Sequence, residues 1–288
     1  MNATFWRTAT IAALALGGII FHASGVFAQT REQCEKQYAP RIGERGKDVI
    51  WVPTVDQLTL AMLTAAKVSA NDYVIDLGAG DGKIPIAAAK HFGARALGVE
   101  YNPQLVKLAQ CNVRAERVED KVEIREGDIF QTDFSQATVL TLYLLSDLNM
   151  RLRPAILKMR PGTRVVSNTF KMGDWSPDEF VQSELGNTRA YLWIVPAHVQ
   201  GVWSFHEPDG ADAFRVSLTQ HFQEVKGVLL GSSRQDSLRD VRLRGADLAF
   251  TVAGRSEPLT VKGVVSGNRI DAEVVRAGKT YKYVGRRD

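Results

Sequence analysis

Three carboxylates and three glycines stand where a ligand carrying an ammonium and a diol could be gripped. Asp76 closes the apolar run Val74-Ile75, and Gly78, Gly80 and Gly82 follow at every second position. Glu100 closes a second apolar run, 22 residues after Gly78, and Asp128 follows a third strand-like segment, Lys121-Val122-Glu123-Ile124-Arg125. Glycine accepts positive φ and lets the backbone approach a ligand that a Cβ would push away. A helix beginning at Lys83 offers unpaired N–H groups and a positive dipole end at the same place. Glu100 presents two acceptors side by side, which matches the two hydroxyls of a ribose. A dinucleotide fingerprint would need glycine at position 83, where this chain has Lys83. An acid just ahead of the glycines also repels a pyrophosphate and suits an amino-acid ammonium.

The elements that position these residues alternate. Val55, Leu58, Met62, Leu63 and Ala66 give one apolar face to a helix over 55–67, with Thr54 as its N-cap. Strands are expected at 96–100, 121–125, 138–145, 163–168 and 191–195. Helices are expected at 83–91, from Pro103 to about Arg117, and at 148–159, with Glu179–Leu185 a short helix or loop. This β-α alternation predicts an α/β, Rossmann-like doubly wound sheet over 49–198. From Gly201 the texture changes to eight short strands between Val202 and Val284, with hairpin turns such as Ser266-Gly267-Asn268-Arg269. Residues 201–288 therefore read as a small all-β domain, a barrel or sandwich. It holds no catalytic pattern, and structural or partner-binding duty is its expected role.

Asp76-Leu77-Gly78-Ala79-Gly80-Asp81-Gly82, Gly98-Val99-Glu100-Tyr101-Asn102-Pro103 and Gly127-Asp128-Ile129-Phe130 resemble, in order, three motifs of the class I, seven-strand S-adenosylmethionine-dependent methyltransferases. Val52-Pro53-Thr54, Asp81-Gly82-Lys83-Ile84 and Glu100-Tyr101-Asn102-Pro103 resemble more narrowly the lysine methyltransferases of the ATP-synthase c-subunit and an adenine-nucleotide carrier. The resemblance implies S-adenosylmethionine as cofactor. It puts Gly78 and Gly80 close to that cofactor, with Asp76 near its ammonium and Glu100 on its ribose. Asp128 would accept from the adenine amino group, Ile129 would pack on the ring, and Thr54 would close over the methionine end. Tyr143 would face the reacting methyl as the catalytic candidate, or pack as a core aromatic. Asp147, Asn149 and Asn168 read as caps or surface residues. The implied reaction is N-methylation of a protein lysine; a small-molecule methyltransferase and an exported, non-catalytic binding protein are the alternatives.

The chain has 288 residues, net charge +4, 45% apolar and 24% charged residues. That is an ordinary globular balance without a basic run, so no nucleic-acid partner is expected. The five histidines are scattered and no metal-ligand spacing occurs. Arg7, the apolar run Ala9–Ile20 and Val26-Phe27-Ala28 form the pattern of a signal peptide over 1–28. This predicts export to the periplasm or medium without stable membrane insertion after cleavage; an N-terminal membrane anchor is the alternative. Residues 29–48 read as a linker, or a surface helix plus loop. Cys34 sits in a polar segment and Cys111 in an apolar helix, and both are expected as unpaired thiols.

Overall fold

The computed structural model describes residues 29–38, 41–43, 47–182, 189–210, 213–231, 236–253 and 257–288. The expected signal peptide at 1–28 lies outside the described residues. Five helices occur among the latter: α1 Arg31–Tyr38, α2 Asp56–Ala65, α3 Lys83–Phe92, α4 Pro103–Ala115 and α5 Ser146–Ile156. The first seven strands are β1 Tyr73–Leu77, β2 Arg95–Glu100, β3 Val122–Glu126, β4 Val139–Leu142, β5 Arg164–Asn168, β6 Glu179–Gln182 and β7 Arg189–Ile194. They form one sheet in the order β3-β2-β1-β4-β5-β7-β6. β1 to β5 run parallel, and β7 lies antiparallel between β5 and β6. The chain reverses its direction of travel across the sheet at β1, so a crevice opens outside the carboxyl ends of β1, β2 and β4. This is the Rossmann-like sheet that the alternation predicts.

Both faces of the sheet are buried. Leu58, Met62, Leu63, Ala88 and Ala109 pack on one side, and Leu148, Leu152, Ile156, Trp175 and Trp193 on the other. At the end opposite the crevice, Asp72 accepts from Ser69 N at 2.8 Å and Thr138 Oγ1 at 2.7 Å, and pairs with Arg164. One carboxylate thus ties the entries of β1, β4 and β5 together. Asn102 caps α4 by accepting from Gln104 N at 2.9 Å, with Pro103 in the first turn.

Three expectations need correction. Thr54 does not cap α2: Val55 holds the N-cap position without a side-chain bond, and Thr54 Oγ1 instead accepts from Asn168 Nδ2 at 3.4 Å. Residues 179–182 form strand β6, because the edge of β7 offers them a ladder; 183–185 lie outside the described residues. Cys34 and Cys111 form a disulfide. Cys34 is the buried residue of the otherwise polar α1, and its partner lies on the face of α4 that α1 covers. Part of the expected linker is thereby bolted to the α/β unit.

The remaining strands are β8 Gly201–His206, β9 Ala213–His221, β10 Glu224–Leu230, β11 Arg239–Arg244, β12 Asp247–Val252, β13 Leu259–Ser266, β14 Arg269–Arg276 and β15 Lys279–Arg287. They make an antiparallel sheet in the order β10-β9-β8-β15-β14-β13-β12-β11. Leu229 N donates to Asp236 O at 2.9 Å and Leu238 N to Gly227 O at 2.8 Å, so the approach to β11 meets β10 and the sheet nearly closes into a barrel. Inward-facing Trp203, Phe205, Phe250, Val261, Val274 and Tyr283 fill it. Among the described residues no helix is long and apolar enough to cross a membrane.

Candidate functional site

The crevice at the carboxyl ends of β1, β2 and β4 is lined by Thr54, Asp76, Gly78, Gly80, Glu100, Asp128, Ile129 and Tyr143 together. All eight residues singled out from the sequence therefore meet in one cavity.

The glycine loop is built by its neighbours. Gly78 N and Ala79 N both donate to Val99 O at 2.9 Å, which folds the loop onto β2. Gly80 sits at φ +55, and a Cβ there would lie 2.5 Å from Trp51 Nε1. Glycine is therefore required both for the left-handed backbone and for the indole packed on it. Glu100 Oε2 accepts from Gly80 N at 2.8 Å and Oε1 from Asn102 N at 2.9 Å. Its carboxylate is held rigidly between the loop and the start of α4, each oxygen keeping acceptor capacity for a further donor.

Asp76 is 2% exposed and accepts from Thr141 Oγ1 at 2.7 Å. Burial pushes its carboxyl up to about 7; the Thr141 bond opposes that, and the charges of Glu100 and Asp81 add to it. Among the described residues no basic side chain pairs with it. The site thus holds a buried acid that a cationic group would discharge. Burial likewise pushes the Asp81 carboxyl up, against the charge of Lys83, and Arg31 of α1 reaches it at 3.7 Å.

Asp128, after β3, lines the same cavity. Its Oδ1 accepts from Phe130 N at 2.9 Å and its Oδ2 from Lys47 Nζ at 2.6 Å. The Lys47 bond, followed by the Phe130 amide, holds this carboxyl below the usual range. Lys47 also stands 5.4 Å from the centre of the Tyr101 ring. Residues 47–54 form a cover over the cavity, and Trp51 anchors it against Leu105, Leu108 and the Cys34–Cys111 disulfide.

Lys47 and Trp51 were not among the sequence candidates. A lone lysine 81 residues from Asp128 carries no local signal. Trp51 stands next to Val52-Pro53-Thr54, and that adjacency was the available clue. A second cleft adjoins the first, sharing residues 47–50, Val52, Tyr143 and Leu144, and is completed by Leu145 and Phe170. Tyr143 and Phe170 face each other there with ring centres 6.4 Å apart. Asn149 is wholly buried rather than a surface residue, and its Nδ2 donates to Ser167 Oγ at 3.0 Å and Phe170 O at 3.2 Å. Asn168 is also buried, at the end of β5. Among the described residues no group of acids, histidines and cysteines could hold a metal ion.

The donor set fits S-adenosylmethionine. A buried, uncompensated acid suits its ammonium, a rigid two-oxygen carboxylate its ribose diol, and a further carboxylate its adenine amino group.

Comparison with known proteins agrees. The family model of the ANTKMT methyltransferase domain matches residues 76–179. A protein-lysine N-methyltransferase of Saccharolobus islandicus is 42% identical over 154 residues, covering 52% of this chain and 96% of that protein. The lysine N-methyltransferase of the human ATP-synthase c-subunit is 29% identical over 119 residues, 41% of this chain and 51% of its own length. A solved structure described as an RNA methyltransferase from Salinibacter ruber, in complex with S-adenosyl-L-homocysteine, shares 46% identity. It covers 51% of this chain and 96% of its own, with a TM-score of 0.50.

Proposed function

The chain belongs to the S-adenosylmethionine-dependent methyltransferases, and from that premise we propose that it methylates the ε-amine of a protein lysine. The observation that carries this reading is the second cleft, with its Tyr143–Phe170 pair, opening onto the cofactor cavity beside the glycine loop. The names of the archaeal and human relatives support the lysine, and the name of the Salinibacter structure makes RNA the competitor to exclude.

When bound, the cofactor supplies a methyl group already activated by a sulfonium, so transfer is an in-line displacement that needs no enzyme nucleophile. The protein's work is to position and to exclude water. Asp76 holds the ammonium, Glu100 the ribose and Asp128 the adenine amino group, with Ile129 against the ring. Gly78 and Gly80 let the loop run close, and Thr54, fixed by Asn168, closes the methionine end. The acceptor amine must arrive neutral. Desolvation between Tyr143, Leu144, Leu145 and Phe170 lowers an ammonium's pKa from about 10.4 toward that state. Tyr143 is the residue proposed to touch the amine and the methyl group; that its ring lines both cavities supports this role.

We further infer that the protein works outside the cytoplasm. The sequence pattern at 1–28 supports export, and the Cys34–Cys111 disulfide suits an oxidising compartment.

Incubation with methyl-labelled cofactor, cell-envelope protein and total RNA tests the reading. Label on lysine is the expected result; label confined to RNA or small molecules overturns it.

A further inference from the structure

The barrel touches the catalytic unit at one place that matters for the acceptor cleft. The segment 170–176 carries Phe170 at its start, and the two-residue tip of the β9–β10 hairpin grips its far end. Gln223 Oε1 accepts from Trp175 Nε1 at 2.8 Å, and Gln223 Nε2 donates to Ser176 O at 2.7 Å. The Phe222 ring stacks on Trp175, 5.7 Å between centres and 20° from parallel. Arg153 of α5 lies 5.2 Å from the centre of that ring, donates to Met172 O at 2.9 Å and pairs with Asp174 at 2.5 Å. His221 comes within 3.7 Å of Asp174.

Two observations mark this contact as more than surface packing. Phe222 holds φ at +54, where a bulky side chain is rarely found and where hairpin tips ordinarily place asparagine or glycine. Such a conformation persists only when its surroundings over-determine it. Gln223 also spends both ends of its amide on the catalytic unit, while Asn149 takes Phe170 O from the α5 side. The loop bearing Phe170 is thus fixed by α5 on one flank and by the barrel on the other.

We propose that the β9–β10 hairpin is a positioning brace for the acceptor wall: through Gln223 and Phe222 the barrel sets the place of Phe170 against Tyr143. This rests on the reading of the Tyr143–Phe170 cleft as the entry of the lysine amine. It gives the barrel a direct part in acceptor selection, since loosening the brace widens the cleft without touching the glycine loop. Gln223 and Phe222 are positioning residues and touch neither reactant.

A probe that needs no turnover tests this. It is a cofactor scaffold with nitrogen in place of sulfur, bearing a butylamine arm that imitates the lysine side chain, compared by calorimetry with the same scaffold lacking the arm. In the wild type the arm raises affinity about 100-fold, the scale of gain that correct placement supplies. Gln223→Ala and Phe222→Gly keep the armless affinity within about twofold and cut the arm's gain about tenfold, the kind of loss that small misplacements cause. Gln223→Glu, which still accepts from Trp175, recovers part of it. An unchanged gain in Gln223→Ala and Phe222→Gly overturns the brace, as does an equal loss for both ligands. A wild type that gains nothing from the arm removes the lysine cleft, and the brace with it.

Discussion

With Asp76 holding the cofactor's ammonium as proposed, cofactor binding depends on pH in a direction that its surroundings set. Burial has pushed its carboxyl up to about 7, so the ligand-free protein holds a proton that the unfolded chain releases near 3.8. An acid raised in this way lowers stability as pH climbs: the ligand-free fold weakens from about pH 4 upward and levels off above 7. Cofactor affinity runs the opposite way, because the ammonium needs the ionised form. About half of the molecules are ionised at pH 7 and about a tenth at pH 6, so the dissociation constant rises about fivefold as pH falls over that unit. It approaches tenfold per unit below pH 6 and is flat above pH 8. Asp128 is held low by Lys47 and does not titrate in this window. Asp76→Asn removes both trends. It binds more weakly at pH 8 by about 10- to 100-fold, the range of a charged hydrogen bond, and its affinity loses the bend near pH 7. Its ligand-free melting temperature at pH 8 rises. Calorimetric titration with S-adenosylhomocysteine from pH 5.5 to 8.5, beside thermal melts, reads both. A level wild-type profile, or an Asp76→Asn profile that still bends near 7, refutes the reasoning.

Three further outcomes are expected. Gly80→Ala forces a side chain into a left-handed backbone at about 1–2 kcal/mol and into Trp51; cofactor affinity falls at least about tenfold, and Trp51 fluorescence shifts. Lys47→Met frees Asp128 for adenine, so affinity for S-adenosylhomocysteine tightens, by no more than about fivefold for so exposed a pair, and its salt dependence shrinks. Cys34→Ser with Cys111→Ser removes a cross-link between positions 77 apart, for which the loop-closure relation gives about 4.5 kcal/mol and measured bridges about 2–4. A urea midpoint equal to that of the oxidised wild type would contradict the bridge.

The crevice and its three acids were legible in the sequence because each acid follows a strand pattern, apolar before Asp76 and Glu100 and alternating before Asp128, and each became a parallel strand. Asp76, Glu100 and Asp128 need no long-range knowledge once β1, β2 and β3 are recognised. The barrel strands were legible for the same reason: inward Val261, Val265, Ile270 and Val274 alternate with outward Lys262, Asp271 and Glu273. What escaped depends on contacts far apart in the chain. Thr54 read as a cap because its hydroxyl's partner, Asn168, is 114 residues away. Cys34 read as idle because α1 is polar apart from that one buried side chain, and nothing local says that α4 lies against it. Asn149 read as a cap or surface residue because only the folded loop brings Phe170 O to it. Lys47 on Asp128, Trp51 on Gly80 and Gln223 on Trp175 share this character: each is one side chain whose meaning is set by a distant partner.

Methylation of a lysine from a cofactor seated at Asp76, Glu100 and Asp128 can be measured directly. Purified protein is incubated with methyl-labelled S-adenosylmethionine and cell-envelope protein, the protein is hydrolysed, and the amino acids are separated. Label is predicted as Nε-methyl-lysine for the wild type, at least about tenfold reduced in Glu100→Ala, where a rigid charged acceptor is lost. Label recovered in nucleosides, or undiminished lysine methylation by Glu100→Ala, contradicts it.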